Sequence, residues 1–111
     1  MLNNLQLPAK KQSKISDFPA SYRDLSFSLD SHENLEDLSA MIKKHKKYSE
    51  LMTDCFIFDL FENKKQNILK VGYRFKFQAI DKNITDEETE AVMNPLIEES
   101  LEISGVSIEG I

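Results

Sequence analysis

A chain of 111 residues that is 41% hydrophobic has material for one two-layer core and not for two. No apolar run approaches the roughly 20 residues needed to cross a bilayer, and the first residues lack the apolar centre of a secretory leader, so a soluble, cytoplasmic protein with no membrane partner is expected. The net charge of −5 is uneven: residues 1–20 carry +2, residues 21–81 balance, and residues 82–111 carry −7, so the overall sign excludes no local basic patch.

Residues 1–16 mix Asn, Gln, Lys, Ser and Pro with scattered leucines at no regular period, and read as a linker or arm. The domain proper is expected over residues 17–111. Its first strand follows Pro19, with Leu25, Phe27 and Leu29 alternating with Asp24, Ser26, Ser28 and Asp30. From Asn34, apolar Leu35, Leu38, Met41, Ile42 and Tyr48 recur at helical spacing, with Asn34 as the expected N-cap and Asp37 as its partner. Lys43, Lys44, His45, Lys46 and Lys47 in the last turns suit the negative end of the helix dipole, and the plain reading is a solvated, well-terminated helix.

Residues 55–62 are strand-like, with Phe56, Phe58 and Leu60 expected on the buried face and Cys55, Ile57, Asp59 and Phe61 on the other. A polar, Lys-rich turn over residues 63–67 leads back into a hairpin partner. In that partner Leu69, Val71, Tyr73, Phe75 and Phe77 alternate with Lys70, Gly72, Arg74, Lys76 and Gln78, so one face is apolar and the other basic. Such a free cationic face suits an anionic partner.

Thr85-Asp86-Glu87-Glu88 has the form of a capping box, opening a second helix whose apolar stripe is Val92, Met93, Leu96, Ile97 and Leu101. Pro95 removes a helical N–H, and a kink or brief break near Asn94 is expected. Gly105 suits a C-cap, and Val106 and Ile108 suit a short last strand.

Cys55 has no second cysteine to pair with, and no His or Cys cluster offers a metal site, so it reads as a strand residue without chemistry of its own. His32 and His45 have no nearby nucleophile and read as surface residues. No catalytic constellation, cofactor motif or phosphate loop is present.

The order strand, helix, strand, strand, helix, strand is the ferredoxin-like βαββαβ pattern of an α+β fold: a four-stranded antiparallel sheet with two helices on one face, the first and third strands central. The apolar alternates then face the helices. The open face is left with Asp24, Ser26, Ser28, Asp59, Phe61, Lys70, Arg74 and Lys76, a set that suits either a solvated sheet surface or a binding surface.

Four short segments resemble a known family: Phe18-Pro19-Ala20-Ser21-Tyr22-Arg23-Asp24-Leu25-Ser26-Phe27, Phe58-Asp59-Leu60-Phe61, Tyr73-Arg74-Phe75-Lys76-Phe77 and Ile84-Thr85-Asp86-Glu87-Glu88. Over residues 17–101 the chain resembles the ferredoxin-fold anticodon-binding domain at the C-terminus of phenylalanyl-tRNA synthetase, of the bacterial β-chain type. The resemblance implies a non-catalytic module, excised from a longer synthetase, that packs against the anticodon stem-loop of phenylalanine tRNA. Its other partner would be the rest of the enzyme, its α and β chains. It also implies that Asp59 and Phe61 stand at the anticodon-contacting positions, with Lys70 where a small hydroxyl residue is usual. On these positions Phe61 can stack on a loop base, Asp59 can accept from a guanine edge, and Lys70, Arg74 and Lys76 can meet phosphates. Arg23 reads as a structural ion-pair residue. The chain departs from the family at Phe61, which lacks the tyrosine hydroxyl, at the glycine-free hairpin, at Asn83 in place of arginine, and at Pro95.

Three other readings compete. An RNA-recognition motif would need aromatics on the open face of the central strands, where Ser26, Ser28, Gly72, Arg74 and Lys76 stand. A small-molecule-sensing or protein-interaction domain of the same fold would favour a glycine-rich turn after the first strand, where Asp30-Ser31-His32-Glu33-Asn34 stands. A free-standing enzyme lacks reactive groups.

Overall fold

The computed structural model describes residues 18–110; the expected arm over residues 1–16 and the domain boundary at residue 17 lie outside them. The elements are β1 (Ser21–Leu29), α1 (His32–Tyr48), β2 (Met52–Asn63), β3 (Ile68–Phe77), α2 (Asp86–Glu102) and β4 (Val106–Ile108). They form one sheet of order β2-β3-β1-β4 with every pairing antiparallel, so β3 and β1 are central. This is the expected ferredoxin-like α+β architecture.

The core follows the period-two pattern. Phe27 and Leu29 of β1, Leu69, Val71, Tyr73, Phe75 and Phe77 of β3, and Val106 and Ile108 of β4 are buried against Leu38, Met41 and Ile42 of α1 and Met93 and Leu96 of α2. Tyr73 meets Phe27 edge-on and lies stacked on Phe75, each at 5.9 Å between ring centroids, and its hydroxyl hydrogen-bonds that of Ser39 at 2.7 Å. A buried aromatic hydroxyl thus keeps a partner.

Helix α1 starts earlier than its apolar period suggests. Ser31 is the N-cap, accepting from the Asn34 amide. Asn34 instead donates its side-chain N–H to the Ser104 carbonyl at 2.7 Å, tying the helix to the turn before β4. The Asn34 side chain thus serves both ends: its Oδ1 accepts from the Ser31 hydroxyl at 3.2 Å within the cap, while its amide nitrogen makes the long-range bond. Tyr48, expected in the apolar stripe, is exposed because it lies in the last turn, beyond the sheet's cover. In α2 the capping box forms with both bonds present. The expected break near Asn94 does not occur: α2 runs through Pro95, whose side is exposed, so water can serve the Ala91 carbonyl that the proline leaves without a donor. Leu101 is also exposed, and the buried positions of α2 include Thr89 and Ser100, whose hydroxyls donate to the carbonyls of Thr85 and Leu96. The C-cap is Ile103 rather than Gly105.

The glycine-free hairpin is closed by asparagines. Asn67 takes the left-handed conformation, φ 56°, that glycine usually fills, and the Asn63 side chain accepts from the amides of Lys65 and Gln66. Gly105 has φ 87°, and a β-carbon there would stand 2.6 Å from Asn34 Oδ1. Gly105→Ala should therefore lower stability by about 1–2 kcal/mol through left-handed strain and displacement of Asn34. A thermal melt indistinguishable from wild type would show that the Asn34 link contributes nothing.

Candidate functional site

Register assigns the faces residue by residue, because cross-strand partners share a face. Four rows cross the open side of the sheet: Asp54, Lys76 and Tyr22; Phe56, Arg74 and Asp24; Asp59, Gly72 and Ser26; Phe61, Lys70, Ser28 and Ser107. All five sequence-predicted site residues, Asp59, Phe61, Lys70, Arg74 and Lys76, therefore lie on this one face.

The expected inward orientation of Phe56 and Phe58 does not hold. Strand β2 changes register against β3 between Met52 and Asp54 and again between Ile57 and Asp59, so two residues are extra. Phe56 opposes Arg74 on the open face, and Cys55 and Ile57 face the helices. Phe58 is the extra residue of the second bulge, after which Asp59 and Phe61 return to the open face and Leu60 to the helix side. The Phe58 ring lies against Gly72: a β-carbon there would be 3.0 Å from Phe58 Cζ. A larger residue would have to push this ring aside, and the ring in turn buries the glycine backbone, as aromatic cover of a strand glycine does. That glycine, midway along a clean alternating strand, was the sequence signal for an aromatic lying across it. Tyr22, half exposed and opposite Lys76, completes an outward aromatic set that the sequence reading left out.

The face is less basic than the pattern of β3 suggests. Arg74 gives Asp24 two hydrogen bonds of 2.9 Å, from Nε and Nη2, and its guanidinium lies 4.7 Å from the Phe58 ring centroid. Lys70 Nζ meets Glu109 Oε2 at 2.9 Å. Lys76 has no ion pair among the described residues. Three cations thus share the face and its rim with Asp24, Asp54, Asp59 and Glu109, and the largest unopposed feature is aromatic: Phe56, Phe58 and Phe61 are 42%, 45% and 53% exposed.

The remaining polar groups serve the fold. Arg23 pairs with Asp86 in the first turn of α2 at 3.0 Å, the structural duty expected of it. His45 is half-buried rather than superficial: its Nε2 and Lys44 Nζ each lie 2.8 Å from a Glu99 oxygen, joining α1 to α2. Lys44 and then His45 hold the Glu99 carboxyl below its ordinary range. The α1 cations are accordingly not one solvated run. Burial pushes the Cys55 thiol up, which disfavours the thiolate. No helix among the described residues is long and apolar enough to cross a membrane.

A family model described as the ferredoxin-fold anticodon binding domain matches residues 16–108. The chain is 26% identical over 87 residues to the mitochondrial phenylalanine–tRNA ligase of Dictyostelium discoideum, covering 78% of this chain and 19% of that protein. It is 28% identical over 96 residues to the phenylalanine–tRNA ligase β subunit of Synechococcus elongatus, covering 82% of this chain and 12% of that one. The chain therefore spans less than a fifth of the length of these relatives. Among solved structures, an uncharacterised protein of Thermotoga maritima superposes with a TM-score of 0.51 over 82% of this chain and 94% of that chain at 12% identity, a likeness of fold alone.

The Arg74 hydrogen bonds hold the Asp24 carboxyl below its ordinary value. A depressed folded-state pKa adds stability above the unfolded value, near 3.9, and loses it as pH falls through the folded one. An NMR titration should place the Asp24 midpoint below the usual carboxylate range, and Arg74→Met should return it there. An unchanged midpoint in Arg74→Met would show the pair to be open in solution.

Proposed function

Because the chain belongs to the family of ferredoxin-fold anticodon-binding domains, we propose that it is a non-catalytic module that binds the anticodon stem-loop of phenylalanine tRNA on the open face of its sheet. The family match across residues 16–108, which takes in all four strands, carries this reading. The partners are that tRNA and the remainder of a phenylalanine–tRNA ligase, its α and β chains, which hold the adenylation and transfer chemistry. The similarity to portions amounting to 19% and 12% of two such ligases supports it.

Single-stranded loop bases are recognised by stacking and by their hydrogen-bonding edges. Phe61 gives the stacking surface beside Asp59, whose carboxylate accepts from the Watson–Crick edge of a guanine. Phe58, held over Gly72 by the bulge, and Phe56 extend the platform along β2. Of the three cations, Lys76 is the first phosphate contact because among the described residues it has no ion pair to leave. Lys70 must exchange Glu109 for a phosphate, and Arg74 must exchange Asp24.

Charges already paired release few counterions, so affinity should fall only gently with salt, with a log–log slope of roughly −1 to −2. Fluorescence anisotropy with a labelled anticodon stem-loop measures this directly. Phe61→Ala should weaken binding by about 1–3 kcal/mol, the range for one base stack, with little change in melting temperature, and Phe61→Tyr should bind at least as well. If alanine leaves the affinity intact while lowering the melting temperature, Phe61 serves the sheet and not the RNA.

A further inference from the structure

The two edges of the sheet are unlike. Strand β4 is three residues long, whereas β2 is twelve and, among the described residues, has no neighbour on its outer side. An open edge strand is a template for another chain, and proteins usually blunt it with charged side chains, proline, bulges or brevity; β2 carries two bulges and the acidic Asp54, Asp59 and Glu62. Strand β2 contains neither Lys nor Pro and exposes five large apolar side chains: Phe56, Phe58 and Phe61 toward the open face, Ile57 and Leu60 toward the helix side.

We propose that this edge is a self-association surface, on which a second copy of the chain pairs antiparallel with β2 about a two-fold axis between Phe58 and Asp59. The bulge makes the strand complementary to itself. In an unbroken strand, a two-fold axis between two adjacent residues would pair odd positions with even ones and set every inward side chain against an outward one. Here the extra residue reverses parity at the axis, so that Ile57 meets the second copy's Leu60 on the helix side and Phe56 meets its Phe61 on the open side. Asp54 falls opposite Asn63, and Cys55 opposite Glu62, with each pair again on one face and no like charges opposed.

Charge supports the same register. Lys43 and Lys46 of α1 line, with Asp54, Cys55, Phe56 and Ile57, a hollow of about 540 Å³ beside the strand. The second copy's Glu62, which in its own chain meets His32 Nε2 at 3.1 Å, arrives opposite Cys55 and enters the field of these two lysines. The symmetry places this contact on both sides of the axis, as an isologous interface requires. Glu36, seven residues before Lys43 and so on the same stripe of α1, is exposed. Antiparallel α1 helices across the seam then bring the acidic half of each toward the basic half of the other. The joined sheet has eight strands and leaves both open faces free, so the association adds to the proposed RNA surface without covering it.

An interface of one strand pair falls in the small, weak class, below about 1,200 Å². Sedimentation equilibrium of the 111-residue chain, from roughly 10 µM to 1 mM given that class, should show a monomer–dimer equilibrium. Leu60→Lys, at an exposed site, should weaken it by on the order of tenfold or more while the melting temperature holds. Glu62→Lys alone, and Lys43→Glu with Lys46→Glu, should each weaken it, and the triple variant should recover it. For register, the chain with Cys55→Ser and Ile57→Cys, mixed with the chain with Cys55→Ser and Leu60→Cys, should form a disulfide heterodimer under mild oxidation. A chain that stays monomeric throughout, a dimer indifferent to Leu60→Lys, or failure of the triple variant to recover would each overturn the proposal. RNA binding by a strictly monomeric chain would overturn the dimer and leave the proposed function standing.

Discussion

Strand β3 is the constraint on which the rest of the molecule depends. It is paired on both sides, to β1 over Leu69–Phe77 and to β2, so both its faces are fixed at once. Leu69, Val71, Tyr73, Phe75 and Phe77 enter the core on one side, each contributing about 1.5–3 kcal/mol as an upper estimate for full burial of a large apolar side chain. A one-residue slip would place all five in water and Lys70, Arg74 and Lys76 in the core. The register of β3 is therefore the least negotiable feature of the sheet, and its neighbours take their positions from it.

Strand β2 illustrates the consequence. Its twelve residues must be fitted to the ten of β3, but its own sequence, Cys-Phe-Ile-Phe-Asp-Leu-Phe, is apolar on both parities. The conflict is resolved by local insertion rather than by a global shift: each bulge adds one residue, and the second falls beside Gly72, where the backbone has space for a ring. Three phenylalanines then line the outer part of the open face. The same insertion reverses the parity of the strand about its middle, so one defect shapes both the aromatic platform and the outer edge.

Electrostatics on this molecule is mostly a matter of pairing within the chain. Arg74 with Asp24, Lys70 with Glu109, Arg23 with Asp86, and Lys44 and His45 with Glu99 all join separate elements. The exposed members of this set add little to stability individually. They do set the character of the surfaces: a face that looks cationic along one strand becomes nearly balanced once the neighbouring strands are beside it. The acidic surplus of the last third lies on α2, in the helix layer behind the sheet, with Lys82 drawn to Glu88 at its start.

Much of the fold was legible because it depends on local rules. Period two in β1 and β3, helical spacing in α1 and α2, and the capping box at Thr85 each act through neighbours a few residues away, so the order of elements, the antiparallel sheet and the core of β1 and β3 could be read from the chain. Asp59, Phe61, Lys70, Arg74 and Lys76 were placed on one face by parity, and four short motifs pointed to the family. What the chain alone left unread depends on partners distant in sequence. Asn34 reaches Ser104, seventy residues on, from inside the first turn of a helix that Ser31 caps; Arg74 is occupied because Asp24 lies opposite it; Pro95 is tolerated because its side of α2 meets water. The orientation of Phe56 and Phe58 was the largest such case. Alternation fixes relative orientation only while register is continuous, and whether it continues is decided by the facing strand, here by the missing side chain of Gly72.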